Sequence, residues 1–119
     1  MSTFRDLLIW QKSMILVTDI YQLTNSFPKE EIYGLTSQIR RSSISIPSNI
    51  AEGYGRDGNK DYLKFLNIAI ASLFEMQTQL EISFNLKYTN EIQFNKIYGE
   101  SREIERMLSS FTRKIKERI

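Results

Sequence analysis

Apolar residues recur at alternating steps of three and four along nearly the whole chain, the period of a helix face and not of a strand. Leu7, Trp10, Met14, Val17 and Tyr21 mark the first such stripe and predict a helix over about 4–25. Ile9, Leu16, Ile20 and Leu23 form a second stripe beside it, so this helix carries more apolar surface than one buried seam needs and implies a second contact surface. After the turn Asn25-Ser26-Phe27-Pro28, Pro28 suits a first helical position, and Glu30 and Glu31 suit the positive helix end. The stripe Ile32, Leu35, Ile39, Ile46, Ile50 then predicts a helix over about 29–54. Pro47 would leave the carbonyl of Ser43 without its donor, which predicts a kink or short break near 43–45. A third helix, about 59–87, is capped by Asn59 and buries Tyr62, Leu66, Ala69, Leu73, Met76, Leu80 and Ser83, with Leu63, Ile70 and Phe84 widening the stripe. The fourth, about 90–117, is capped by Thr89 or Asn90 and buries Phe94, Ile97, Ser101, Ile104, Leu108, Phe111 and Ile115.

Long helices with short connections lie antiparallel, so the expected fold is all-α: one domain over 1–119 built as an up-down-up-down four-helix bundle. An extended helical hairpin that folds only on dimerising is the second choice. The chain has 119 residues, 41% of them hydrophobic, enough for a core without covalent staples. No apolar run approaches about 18 residues and the first residues do not resemble a signal peptide, so no membrane association and a cytoplasmic location are expected.

Composition removes most chemistry. With no cysteine there is no disulfide or thiolate, and with no histidine the commonest general base and transition-metal ligand are missing. We expect no enzyme activity, no cofactor and no metal. Gly53-Tyr54-Gly55-Arg56-Asp57-Gly58 satisfies the GxGxxG pattern, but a serine-rich helix precedes it where a dinucleotide site needs a strand. Asp57, Asn59 and Asp61 echo a calcium loop, yet Tyr62 stands where glycine is required and Ile68 where the bidentate acid belongs. Glu75, Glu81, Glu103 and Glu105 lack the Glu-x-x-His pairing of di-iron bundles and read as solvated or ion-paired. Glu52 and Glu75 sit amid apolar neighbours, and Glu52 with Asn49, Gln38 and Arg41 is a candidate buried network fixing helix register.

Sixteen Lys+Arg against fourteen Asp+Glu give only +2, so any polyanion argument depends on placement. Arg102, Arg106, Arg113 and Lys116 fall within an arc of roughly 80° opposite the apolar stripe of the fourth helix, a ridge suited to tracking phosphates. The alternative is a solvated face with ion pairs Arg102–Glu105 and Glu103–Arg106. Arg40, Arg41, Arg56, Lys60 and Lys64 form a second group bracketing the turn between the second and third helices, where Tyr54 and Tyr62 either stack on a base or belong to a core or interface.

The string Ser45-Ile46-Pro47-Ser48-Asn49-Ile50-Ala51-Glu52-Gly53, preceded by Gln38-Ile39-Arg40-Arg41, resembles the hallmark of the 23S rRNA intervening-sequence protein family. Phe4-Arg5-Asp6-Leu7, Trp10-Gln11-Lys12, Phe27-Pro28, Tyr33-Gly34-Leu35, Ser72-Leu73, Glu75 and Gln79-Leu80-Glu81 follow in family order, with Ala71 where the family often has glycine. The resemblance implies a small bacterial four-helix bundle assembling as a homopentamer, an RNA-associated role without a defined activity, and a relation to the accessory protein of diversity-generating retroelements. Ser45, Pro47, Asn49, Glu52 and Gly53 are assigned mainly to fold and assembly. The combined expectation is a non-enzymatic oligomer binding structured RNA or DNA through basic helix surfaces. Its alternative is a protein-interaction scaffold with no nucleic-acid role, docking a protein partner on the exposed face of the first helix.

Overall fold

At Leu7 the backbone is extended, and this splits the first apolar run in two. The computed structural model describes residues 2–119. A 3-10 turn, Phe4–Asp6, is closed by a capping box in which Asp6 accepts from the Thr3 N–H at 3.0 Å. Helix α1, Leu8–Thr24, follows. The seam it buries is Ile9, Ser13, Leu16, Ile20 and Leu23, whereas Met14 and Tyr21 of the other stripe stay exposed. Of the two stripes, the one marked by Ile9, Leu16, Ile20 and Leu23 is therefore the buried seam. Ser13 is tolerated in the seam because its hydroxyl donates to the Ile9 carbonyl at 2.6 Å.

The second helix starts later than its apolar pattern suggests. A 3-10 turn, Lys29–Glu31, precedes α2, Leu35–Tyr54. Glu31 accepts from the Leu35 N–H at 3.2 Å, and a Cβ on Gly34 would stand 2.7 Å from that carboxylate oxygen, so glycine gives this cap its room. Ile32 is left exposed outside the helix. No break occurs at Pro47: α2 is continuous, and Ile46, Pro47 and Ile50 are all buried. Tertiary packing outweighs the one lost backbone bond here.

Helix α3, Asn59–Asn85, begins after Gly58, whose φ of +95° favours glycine; Asn59 is the first helical residue and not the cap. Helix α4, Glu91–Glu117, is capped as expected by Asn90, which accepts from the Gln93 N–H at 2.8 Å. The predicted buried stripes of α3 and α4 face the core, with Tyr62, Phe94 and Phe111 at its margin. Sequence neighbours pack against each other and α4 closes back on α1, giving a four-helix rod of 45 × 24 × 24 Å. Its two ends differ in what they carry. One holds the α1–α2 and α3–α4 connections and is called the loop end; the other holds both chain termini and the α2–α3 turn and is called the termini end.

Candidate nucleic-acid interface

Arg102, Arg106, Arg113 and Lys116 are all exposed on α4, but they do not act as one ridge. Arg102 is held by Glu105 through two contacts of 3.0 and 2.9 Å, one of the two expected ion pairs. Glu103 pairs with Lys12 at 2.7 Å and not with Arg106. Arg106 and Lys114 border a groove between α1 and α4. Arg113 and Lys116 border a groove of about 280 Å³ between α3 and α4, shared with Asn67, Ile70, Ser109 and Thr112 and lined by no carboxylate.

The second basic group also divides, and its expected position at the α2–α3 turn is wrong for two members. Arg40 and Arg41 lie near the start of α2, and at 1.5 Å per residue Arg40 is about 21 Å along the helix from Tyr54, where the turn to α3 begins. Arg40 braces the loop end: its Nε donates to Thr24 Oγ1 at 2.8 Å, a terminal nitrogen reaches Asn25 at 3.3 Å, and the guanidinium lies 4.6 Å from the Tyr21 ring centre. Arg41 borders the α2–α3 groove beside Gln38 and Glu75. Arg56 pairs with Glu52 at 2.9 Å and covers the Phe65 ring. Lys60 and Lys64 are exposed on the first turns of α3, two turns and one turn before Asn67. Lys60, Lys64, Arg113 and Lys116 thus all belong to the termini end, while Arg40, Arg41 and Arg102 do not. Residues 2–10, 50–67 and 106–119, which make up that end, contain nine Lys+Arg and five Asp+Glu; the rest of the chain contains seven and nine.

Tyr62 belongs to the core margin. It meets Tyr54 and Phe111 edge-on at 6.3 and 5.5 Å, and burial foremost, then Tyr54, pushes its hydroxyl up to about 12 against the pull of Arg118. Among the hallmark residues, Ser45 accepts from Ser72 at 2.8 Å and from Asn49 at 2.9 Å, and Asn49 also donates to the Ser45 carbonyl. Gly53 is inside α2, where a Cβ would come within 2.9 Å of Phe65 Cβ and 3.0 Å of the Tyr62 ring; close helix contact, not phosphate binding, requires glycine there. Glu52 points outward to Arg56 and takes no part in the expected network. That network is centred instead on Gln79, buried between α2 and α3. Gln79 accepts from Ser42 at 2.7 Å and donates to Glu75 at 3.2 Å and to Gln38 at 3.5 Å. On the α1–α4 side, burial and then the adjacent Asp19 carboxyl push Glu100 up to about 7, a cluster that periodicity gave no means of finding. Among the described residues no group of three or more acidic side chains is placed to hold a metal ion, and no helix is long and apolar enough to cross a membrane.

A family model described as the 23S rRNA-intervening sequence protein matches residues 5–110. The chain belongs to that family. Among solved structures it is similar to a protein of unknown function from the S23 ribosomal protein family of Bacteroides thetaiotaomicron VPI-5482. The two are 27% identical, the alignment covers 88% of this chain and 98% of that one, and the TM-score is 0.80. No curated protein matches the chain. The match to the 23S rRNA-intervening sequence protein ends at residue 110, so Arg113, Lys114, Lys116 and Arg118 lie beyond it.

Proposed function

We propose that this protein is a non-enzymatic helical bundle that assembles as a homo-oligomer, a pentamer in the favoured arrangement, and binds structured RNA or DNA through phosphate contacts at its termini end. One observation carries the reading. Arg113 and Lys116 of α4 face Asn67 and Ile70 of α3 across a groove whose other polar groups are amide and hydroxyl, at the end of the rod that carries nine Lys+Arg against five Asp+Glu. Cations there neutralise phosphates and release counterions, and neutral donors fix the register of the backbone without reading bases. The family name makes ribosomal RNA the first target to try. Assembly is supported by the stripe that α1 leaves uncovered: Met14 and Ile44 are 41% and 40% exposed in an apolar groove of about 360 Å³ between α1 and α2, which a neighbouring subunit would cover. Repeated weak sites on one particle then act by avidity.

The test is a titration of a labelled ribosomal RNA hairpin and a DNA duplex at rising salt. Affinity should fall with a log–log slope of about −0.7 to −0.9 per neutralised phosphate. A flat slope, or no binding at low salt, refutes the nucleic-acid reading and favours the scaffold. Light scattering that returns the mass of one chain refutes the assembly.

A further inference from the structure

The groove on the opposite flank of α4 has a different chemistry and takes no part in that reading. Its floor is apolar, with Leu7 and Leu8 on one side and Met107 and Phe111 on the other, and its volume is about 420 Å³. Leu8 is 54% exposed. Arg106 and Lys114 stand on its α4 wall, eight residues or about 12 Å apart, and neither has a carboxylate partner among the described residues. The trough is already formed, because the capping box at Thr3 and Asp6 and the bond from the Gln11 amide to the Arg5 carbonyl at 2.8 Å fasten the segment that presents Leu7 and Leu8.

A nucleic-acid backbone has nothing apolar to fill this floor. An amphipathic helix does, and two free cations 12 Å apart on one wall ask for carboxylates seven or eight residues apart along that helix, with apolar residues between them. No two acidic residues of this chain are seven or eight apart, so a second copy does not supply the motif. We infer that the α1–α4 groove is the docking site for an acidic amphipathic helix of a different protein.

The probe is a stapled, fluorescein-labelled helical peptide with two glutamates seven residues apart and leucines three and four residues after the first. With the full-length protein it should bind at micromolar concentration and shift the NMR signals of Leu8, Met107 and Phe111. The double variant Arg106→Glu, Lys114→Glu should bind it about tenfold or more weakly and should regain affinity for the same peptide with lysines in place of the glutamates. Leu8→Asn, an exposed position, provides a second variant that should also weaken binding. The inference is overturned by absent binding, by shifts confined to another groove, by equal affinity for the double variant, or by a changed particle mass in that variant, which would make the groove a subunit contact.

Discussion

The two ends of the rod differ in how their most prominent cations are held. At the loop end, Arg40 and Glu31 are tied into the structure. Arg40 spans Thr24, Asn25 and Tyr21, and Glu31 accepts from both the Leu35 N–H and the Tyr88 hydroxyl, the latter at 2.9 Å, a bond that also raises the tyrosine's pKa. At the termini end, apolar contacts hold the helices together: Gly53 against Phe65, and Tyr62 against Phe111. Lys60, Lys64, Arg106, Arg113, Lys114 and Lys116 make no ion pair there among the described residues. Arg40 is half-buried and those six are exposed, but exposure alone is not the test, since Arg56 and Arg102 are exposed and still paired. What distinguishes the two kinds of cation is whether the donors are already engaged, because a guanidinium committed to internal acceptors has less to offer a phosphate.

The largest effect should come from the apolar seam of the termini end. Gly53→Val forces two methyl groups into a space that a Cβ already overfills, and should cost about 3 kcal/mol, at the upper end for overpacking, lowering the melting temperature by roughly 10 °C or more. A melt unchanged within error would show that the seam relaxes freely.

Next comes a crossed experiment. Arg113→Ala with Lys116→Ala should leave the melt within about 0.5 kcal/mol of the parent yet reduce the salt slope of nucleic-acid binding by about 2. Arg40→Ala should do the reverse, costing about 1–2 kcal/mol of stability with the salt slope intact. If Arg40→Ala lowers the slope and the double variant does not, the division of labour between the ends is wrong.

The smallest effect concerns Glu100, in the acid-rich remainder of the chain. Its carboxyl titrates at about 7 in the folded chain, above the ordinary value of 4.5, so between those values the folded state holds a proton that the unfolded state has released. Stability from this group is complete below pH 4.5 and is lost as pH rises through 7. Glu100→Gln should flatten that fall and raise the melting temperature at pH 8 more than at pH 5. Equal shifts at both would remove titration as the cause.

Helix number and the buried faces of α3 and α4 were legible because apolar residues keep the period on either side of the single serines, Ser83 and Ser101. In α1 two stripes could be read but not which one is buried, and the true seam contains Ser13, a polar residue whose hydroxyl is satisfied within the helix. The delayed start of α2 rests on a carboxylate cap and a glycine four and one residues before Leu35, which periodicity does not record. Of the candidate site, the exposure of the α4 cations could be read from the chain. The groove that Arg113 and Lys116 share with Asn67 and Ile70 could not, since it needs the antiparallel register of α3 and α4. Arg40 and Arg41 were grouped with the turn by closeness in sequence, although the helix from Arg40 to Tyr54 spans about 21 Å.

The uneven charge of the termini end and the remainder also makes the rod an electric dipole along its 45 Å length. In the field of a polyanion such a body experiences a torque before any contact forms, so encounters at low ionic strength arrive with the termini leading and the acid-rich remainder trailing. Added salt removes that alignment, and the association rate falls even where the bound complex keeps every contact.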